Sequence, residues 1–308
     1  MSQLKSIVCL WVIVSFAHTT TAQYYFYDDE RLETALLWEA GGSVGVMNCF
    51  TDLGGRKGIG KGFVKDLNRQ HYNFAGGFYI GALYQQAIGG RLEATFGKVS
   101  ASDKVLEGDR SAARARYQRN LHFRSRIAEL ALLAELHPLT FFQSSGQGPS
   151  YFSPYMIGGI GVFRFKPEAF TGQEWVALQP MRTEGQGFAQ YPDRKPYQLT
   201  QVNFPLGIGV RYEVSALLNA RLEVVHRILN TDYLDDVSRE YIDPALFANN
   251  PAVPSAELAA QLADRRRELH PSTLTRAGEK RGNSAHNDAY FTVQVKLGLH
   301  IGRMKRGL

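Results

Sequence analysis

The amino-acid sequence predicts an all-β protein, an eight-stranded antiparallel up-and-down transmembrane β-barrel with long outer loops. Three observations lead to this prediction. Eight segments alternate apolar and polar residues, so that one face of each strand can meet lipid and the other a polar lumen. The connections between the segments are alternately long and short, beginning and ending with a long one. Glycine (30 residues) and aromatic residues (12 %) are plentiful, as curved strands and interfacial girdles require.

The first 22 residues resemble an export signal. Lys5 supplies a positive start, residues 7–17 are an apolar stretch, and small residues end at Ala22. This stretch is too short for a transmembrane helix, which needs about 20 apolar residues. We therefore expect cleavage after Ala22, a single outer-membrane barrel domain over residues 23–308, and a location in the outer membrane of a Gram-negative bacterium.

The composition excludes several kinds of site. Cys9 would leave with the signal, so Cys49 is the single cysteine of the mature chain, and no internal disulfide, zinc site or thiol-redox pair can form. A net charge of +6 raises the question of nucleic acid, but Lys and Arg are spread over strands and loops instead of lining a groove. We expect no nucleic-acid partner, cofactor, metal or catalytic residue.

The first three strands follow the alternating pattern closely. Strand one places five residues on one face, Trp38, Ala40, Gly42, Val44 and Val46. After a Gly- and Lys-rich loop over residues 51–71, strand two groups Phe78, Ile80, Ala82 and Tyr84. We expect Gly89-Gly90 to form the tight turn into strand three, because such dipeptides favour hairpin turns. Strand three sets Leu92, Ala94 and Phe96 against Arg91, Glu93 and Thr95.

Strand four is the least regular. Leu121 and Phe123 lie on one face, whereas Leu130 and Leu132 lie on the other, so the phase slips near Ile127 and Ala128. We favour a β-bulge that resets the phase, since bulges are common at barrel rims. The alternative is an amphipathic helix, which would leave the barrel one strand short.

The remaining strands end with the clearest one. Strand five, residues 151–165, is apolar on both faces and interrupted by glycines. Strand six alternates cleanly, but Pro205 requires a bulge or a local break because proline cannot donate to a ladder. Strand seven follows a short turn at Ser215-Ala216. The last strand carries Phe291, Val293, Val295, Leu297, Leu299 and Ile301 on its apolar face.

The final loop, residues 230–288, is far longer than usual loops and is therefore expected to be functional or partly disordered. Within it, residues 255–268 have helical character, with Ser255 as a cap and Pro271 as a stop. The basic tail, residues 302–308, follows the closing strand and is expected to extend into the periplasm.

Charged residues on the inward faces predict a polar network in the lumen. Eight strands enclose an interior that side chains can fill. The opposite signs nearly balance, so the charges can pair, and an unpaired one would cost several kcal/mol. We therefore predict a plugged lumen instead of a wide pore. The predicted inward residues are Glu39, Glu93, Arg211, Glu213, Arg221, Glu223, Arg227 and Lys296.

Two candidate sites have plainer interpretations. His226 with Glu223 is the best material for catalysis, but His226 shares the parity of lipid-facing residues. Asp232, Asp235 and Asp236 could suggest calcium, yet their spacing lacks the EF-hand order. We interpret them as solvated loop carboxylates or as caps for the following turn.

Five strings resemble the PorG-like family of outer-membrane β-barrel proteins, whose members are associated with the type IX secretion system. They occupy residues 38–45 (WEAGGSVG), 155–165 (YMIGGIGVFRF), 175–187 (WVALQPMRTEGQG), 197–210 (YQLTQVNFPLGIGV) and 230–241 (NTDYLDDVSREY). The resemblance covers nearly all of the mature chain. Its most specific parts are LQPMRTEGQG and a loop formed by Thr231, Asp232, Tyr233, Leu234, Asp235, Asp236, Val237 and Ser238.

The resemblance implies a non-enzymatic component of a secretion machine. Its partners would be outer-membrane lipid and a periplasmic ring of PorK- and PorN-type subunits. One departure is the end of the chain, which runs on to Leu308 instead of finishing on an aromatic residue. Two alternatives stay open, a small outer-membrane pore or transporter and a structural OmpA-like barrel.

Overall fold

The computed structural model describes residues 35–54, 72–108, 114–142, 151–215 and 217–301. The predicted signal, most of the loop at 51–71 and the basic tail lie outside these residues. The described residues form nine strands: β1 Leu36–Phe50, β2 Asn73–Tyr84, β3 Ile88–Ser102, β4 His122–Leu136, β5 Phe152–Phe170, β6 Trp175–Ala177, β7 Thr200–Glu213, β8 Leu218–Leu229 and β9 Ala289–Ile301. Their α-helices are α1 Arg114–Arg119, α2 Ala245–Ala248, α3 Ala256–Ala263 and α4 Arg266–Leu269, and three short 3-10 helices lie at Asp103–Leu106, Pro138–Phe142 and Gln179–Met181.

Eight of the strands close into a barrel. Each pairs antiparallel with its neighbours in the order β1, β2, β3, β4, β5, β7, β8 and β9, and β9 pairs with β1. The short β6 lies outside the ring and pairs with the end of β5. The predicted eight-stranded antiparallel barrel is confirmed, and its closure leaves no free sheet edge.

The outer wall of the barrel is an apolar belt. Every strand of the ring contributes large side chains that are about half exposed, because alternate residues point away from the lumen. A continuous apolar surface of this extent is typical of the lipid-facing band of a transmembrane barrel. None of the described helices is long and apolar enough to cross a membrane. The belt includes Trp38, Val44, Phe78, Ile80, Leu92, Phe96, Leu130, Leu132, Ile160, Val162, Leu206, Ile208, Leu222, Val224, Val295 and Leu297.

The phase slip expected in strand four is absent from its hydrogen bonding. β4 pairs with β3 in one register from Ser102↔His122 to Ile88↔Leu136, and its pairing with β5 is equally regular. Neither the expected β-bulge nor the alternative helix forms, so the preference for a bulge was wrong.

The pattern of β4 changes because the surroundings of the strand change along the barrel. Near the loop end, Ile127 faces an apolar core inside, and Arg126 is exposed on the outer wall. Further along, Glu129 faces the polar lumen, and Leu130 lies in the apolar belt. The same parity faces inward throughout. The polarity of the two faces is therefore exchanged where the strand leaves the belt.

The turn between β2 and β3 differs from the prediction. It spans residues 85–87, where Gln85 and Gln86 adopt left-handed conformations with φ of 46° and 54°. Two consecutive positive φ values are what a tight hairpin with right-handed twist requires. Gly89 and Gly90 lie inside β3, so their assignment to the turn was wrong. The glycine pair was the stronger turn signal in the sequence, but the strand register places the turn before it, at residues 85–87.

Pro205 interrupts the sheet locally, as predicted. The β5–β7 pairing has the same register at Gly158↔Leu206 and at Gly161↔Asn203, with the two positions between them unpaired. On the other side, Pro205 remains opposite Arg227 in β8. Since the register is unchanged across the gap, the feature is a local break and not a bulge.

The final loop is folded and contains three helices. Ser255 caps α3, since its side chain accepts a hydrogen bond from the Leu258 N–H, and the predicted cap is confirmed. The predicted helix is divided at Asp264, whose extended backbone ends α3 and whose carboxylate accepts from the Arg266 N–H. Leu262 is buried, so α3 joins the core at this end of the barrel.

Placing a charge in the middle of the belt is expected to destabilise the barrel. Leu132→Arg should lower the free energy of unfolding in phospholipid vesicles by about 2–4 kcal/mol, because the guanidinium would face hydrocarbon. Leu139→Arg is the matched control, since Leu139 lies beyond the end of β4 and should lose at most about 1 kcal/mol. Urea unfolding followed by tryptophan fluorescence measures both. Equal losses would contradict the assignment of the belt.

Candidate functional site

The lumen contains the charged residues that the alternation pattern selected. All eight have side chains on the inward face, and none is more than 4 % exposed. Three further charged residues, Arg91, Glu129 and Glu135, lie among them. We call these eleven residues the lumen network. Its carboxylates are Glu39, Glu93, Glu129, Glu135, Glu213 and Glu223, and its cations are Arg91, Arg211, Arg221, Arg227 and Lys296.

Glu223 is the centre of this network. Its carboxylate accepts two hydrogen bonds from Arg91, at 2.7 and 3.0 Å, and lies 3.0 Å from the Lys296 Nζ. The Tyr155 hydroxyl also donates to it, at 2.5 Å. Arg91 is on β3 and Glu223 on β8, four strands apart in either direction around the ring. The ion pair therefore crosses the full diameter of the lumen.

Further pairs join other strands across the lumen. Arg221 lies between Glu39, at 2.7 Å, and Glu135, at 2.8 Å. Arg227 on the same strand pairs with Glu129 at 3.1 Å. Because each pair is buried and hydrogen-bonded, the charges compensate one another in a medium of low dielectric constant. Chemically, this arrangement fills and cross-links the barrel.

Three members of the network were missed by the sequence reasoning, each for an identifiable reason. Arg91 shares the parity of Glu93 and could have been included from the strand pattern alone. Glu129 and Glu135 were obscured by the apparent phase slip in strand four. Extending one inward parity along the whole of β4 would have found both.

His226 and Glu223 cannot act together, because they face opposite sides of the barrel wall. Glu223 points into the lumen and is 1 % exposed. His226 is on the outward face of β8, where its ring contacts that of Phe50 at 5.7 Å between centroids. The catalytic pairing considered from the sequence is therefore not formed.

The loops at one end of the barrel form a compact structure, which we call the loop cap. It comprises the described residues of 51–54, 103–121, 171–199 and 230–288. Its apolar side chains pack on the inward residues at the ends of the strands to form one buried core, with Leu234 and Phe247 from the cap and Phe163, Phe165 and Tyr290 from the strands. The cap therefore covers the lumen at this end.

The two most specific strings of the sequence resemblance meet inside the loop cap. The Thr183 hydroxyl donates to the Asp236 carboxylate at 2.5 Å. Glu184 accepts hydrogen bonds from the backbone N–H groups of Ser238, at 3.0 Å, and Arg239, at 3.1 Å. Arg281 completes the contact by pairing with Glu184 at 2.7 Å. Residues about 50 positions apart in the chain thus form one buried polar unit.

The loop from Thr231 to Ser238 is buried, which corrects the expectation that its carboxylates are solvated. Seven of its residues are at most 9 % exposed, and Tyr233 is half-buried. The physical reason is that Leu234 and Val237, both almost fully buried, anchor the turn in the apolar core of the cap. The second expectation is met locally, since Asp235 accepts from the Val237 N–H at 2.9 Å.

Burial changes the acidity of this loop. It raises the pKa of Asp236 to about 6, against the opposing effect of Arg281. Burial, together with the charge of Asp235, raises the pKa of Asp232 to about 9. With a pKa of about 9, Asp232 is protonated at neutral pH in the folded cap.

Within the described residues, no group of three or more His, Cys, Asp or Glu side chains is arranged to hold a metal ion.

The loop cap is expected to weaken as pH rises from about 4 to about 9. In the folded cap the pKa of Asp232 is about 9, whereas in the unfolded loop it is about 4. Between these pH values the folded cap keeps a proton on Asp232 that the unfolded loop has lost, so a rise in pH favours unfolding of the cap. Asp232→Asn should therefore raise the free energy of opening of the loop cap by about 1–2 kcal/mol at pH 8, and by much less at pH 5. The rate of proteolysis within residues 230–288 measures this change. Asp243→Asn, at an exposed position of the same loop, is the control. Equal protection at both pH values would contradict the assignment.

The chain is a closed barrel with a filled lumen. No family model and no curated protein matches it. Among solved structures it is similar to the N-terminal β-barrel domain of Pseudomonas aeruginosa OprF, with 7 % identity, a TM-score of 0.34, and coverage of 87 % of this chain and 98 % of that one. Neisserial surface protein A has 7 % identity, a TM-score of 0.37, and coverage of 86 % and 97 %. A major outer membrane protein from Thermus thermophilus has 10 % identity, a TM-score of 0.37, and coverage of 87 % and 100 %.

Proposed function

We propose that the protein is a non-enzymatic outer-membrane β-barrel of a Gram-negative bacterium and a component of a protein secretion apparatus of the type IX kind. In this role it anchors the apparatus in the membrane and contacts a periplasmic ring of PorK- and PorN-type subunits. The observation that carries the proposal is the combination of an apolar outer belt with a lumen crossed by ion pairs.

The belt supports a membrane location. Large apolar side chains such as Phe78 and Ile208 are 71 % and 65 % exposed, which in water would oppose solubility. In a bilayer the same surface is stabilised, and apart from the break opposite Pro205 the strands within it are hydrogen-bonded around the closed ring. The turns at residues 85–87 and 214–217 are short, and the longest loops lie at the opposite end, which is typical of an outer-membrane barrel whose turns face the periplasm.

The filled lumen supports an anchoring role over transport. The Arg91–Glu223 pair, with nitrogen and oxygen 2.7 Å apart, connects opposite walls. Opening a path for ions would require separating buried charges, each of which would then lack its partner. A pore or transporter is therefore the weaker candidate.

The secretion role rests on the resemblance of the sequence strings to the PorG-like family. The contacts of Thr183 and Glu184 with the loop at Asp236 to Arg239 support it, because the two most specific strings build one unit of the cap. A unit of this kind gives the matching residues a shared structural purpose. The turns at the opposite end, near Leu139 and Val214, are the surface available to a periplasmic ring.

Two measurements test this proposal together. Deleting the protein should block export of secreted substrates, and the purified barrel in planar bilayers should show no large stable openings. Normal secretion in the deletion strain would overturn the secretion role. Large openings with normal secretion would favour a pore.

A pulldown in mild detergent tests the periplasmic contact directly. The double variant Leu139→Ser and Val214→Ser removes two exposed apolar side chains at the turn end and should lose the ring subunits. Leu274→Ser removes a side chain of the same kind from the cap, at the opposite end, and should retain them. Equal recovery from both variants would show that the ring contacts another surface.

A further inference from the structure

Five cations lie on the outer wall of β3, β4 and β5, just above the apolar belt. They are Lys98, Arg124, Arg126, Arg164 and Lys166, and their side chains point away from the barrel interior. We call them the basic wall patch. Closer to the middle of the apolar belt, the same strands present Phe96, Leu130 and Val162, which are about half exposed. The patch therefore begins where the lipid-facing surface ends.

Three of the cations form a row across the strands. Lys98 on β3 lies directly opposite Arg126 on β4, and Arg126 lies directly opposite Lys166 on β5. Side chains directly opposite each other in antiparallel strands have Cβ atoms about 4.5–5.5 Å apart. Like charges in such positions repel and destabilise the sheet. The row is thus unfavourable for folding and calls for an anion to balance it.

The protein itself supplies little negative charge to this surface. Glu168 pairs with Arg124 at 3.0 Å and with Lys166 at 3.2 Å. Over the described ranges, no ion pair involves Lys98, Arg126 or Arg164. One carboxylate therefore serves five cations, and the net charge of the patch is strongly positive.

The surroundings of the patch indicate a membrane interface. The guanidinium of Arg124 stacks on Trp175, with its Cζ 3.8 Å from the ring centroid. Tryptophan is enriched where bilayer hydrocarbon meets headgroups. The long loops lie on the same side of the belt as the patch, so in an outer-membrane barrel this side is the outer leaflet.

We propose that the basic wall patch binds the phosphate groups of an anionic glycolipid in the outer leaflet of the membrane. This inference rests on the proposed outer-membrane location, but not on the secretion role. Arg offers paired donors that match phosphate oxygens, and Lys adds a mobile positive charge. The lipid tails would continue along Phe96, Leu130 and Val162, so that one molecule meets both the patch and the belt.

The test compares two triple variants of the full chain, purified in zwitterionic detergent. Lys98→Gln, Arg126→Gln and Lys166→Gln together remove the row, whereas Lys104→Gln, Lys195→Gln and Arg276→Gln remove the same charge from exposed positions of the cap. Native mass spectrometry measures bound lipid A that carries two phosphates. We expect the row variant to bind at least about tenfold less of this lipid A than the parent does, and the cap variant to bind the same amount as the parent.

Further arms identify the source of the phosphate and separate structure from binding. The parent should bind dephosphorylated lipid A weakly, and inorganic phosphate should not displace the phosphorylated lipid. Lys98→Arg with Lys166→Arg should keep binding. In detergent without lipid A the row variant should unfold at a higher urea concentration than the parent, because repulsion is relieved.

Three outcomes would overturn this inference: equal binding by both triple variants, equal binding of phosphorylated and dephosphorylated lipid, or displacement by inorganic phosphate. Its failure is distinguishable from failure of the membrane proposal. If only the lipid-binding inference fails, the parent still inserts into vesicles but binds no lipid through the patch. If the membrane proposal fails, the parent does not insert at all.

Discussion

Replacing Glu223 with alanine is expected to lower the free energy of unfolding of the barrel in vesicles by about 3–5 kcal/mol. The carboxylate balances Arg91 and Lys296 and accepts from Tyr155, and it is 1 % exposed. Its removal leaves two buried cations with fewer partners and no access to water. Urea titration followed by the shift in gel mobility between folded and unfolded barrel measures the effect.

Two comparisons show whether this loss comes from the buried ion pair. Glu174→Ala removes a carboxylate at an exposed position and should change stability by less than about 0.5 kcal/mol. The double variant with Arg91→Met should cost less than the two single changes added together, because the second change removes a charge that the first left unpaired. A loss below about 1 kcal/mol for Glu223→Ala would mean a hydrated lumen and would favour a pore.

Replacing Arg281 with leucine is expected to open the loop cap without unfolding the barrel. Arg281 is 3 % exposed, pairs with Glu184 at 2.7 Å and donates to the Asp236 carbonyl at 2.6 Å. Leucine would leave Glu184 buried without its cation, at a local cost of about 3 kcal/mol. Hydrogen exchange should become about a hundredfold faster in residues 230–288, with little change in the strands.

The neighbouring residue supplies the control for this second prediction. Lys280→Leu makes the same kind of change at an exposed position one residue away. It should leave exchange in the loop as it is in the parent. Faster exchange of β8 and β9 in the Arg281 variant would contradict the view that the cap and the barrel are separate units of stability.

The alternation of residue types was sufficient to predict the barrel. In the last strand, Val293, Val295 and Leu297 proved outward-facing, because a period of two leaves a strand with one lipid face only. The same reasoning failed where it assumed that inward always means polar. In β4 the inward Ile127 lies under the loop cap, and no pattern within the strand reveals what the loops place above it.

Eight of the eleven residues of the lumen network were predicted from the sequence, but their connections were not. Glu223 and Lys296 were assigned to the lumen by parity. The pattern within each strand, however, does not show that a residue of β3 pairs with a residue of β8. That pairing depends on the number of strands in the ring, which places Arg91 and Glu223 on opposite walls. Likewise, the aspartates near Asp236 were expected in solvent, because their polarity was visible and the packing of Leu234 was not.

The sequence by itself determined which face of each strand meets hydrocarbon, since side-chain direction in a strand is set locally by the backbone. It also indicated that charges of opposite sign in the lumen nearly balance. Only the tertiary structure decided which charges meet, that the loop following Asn230 is buried, and that Lys98, Arg126 and Lys166 form one row. The reason is that these contacts join residues far apart in the chain, and ring closure and strand register bring them together.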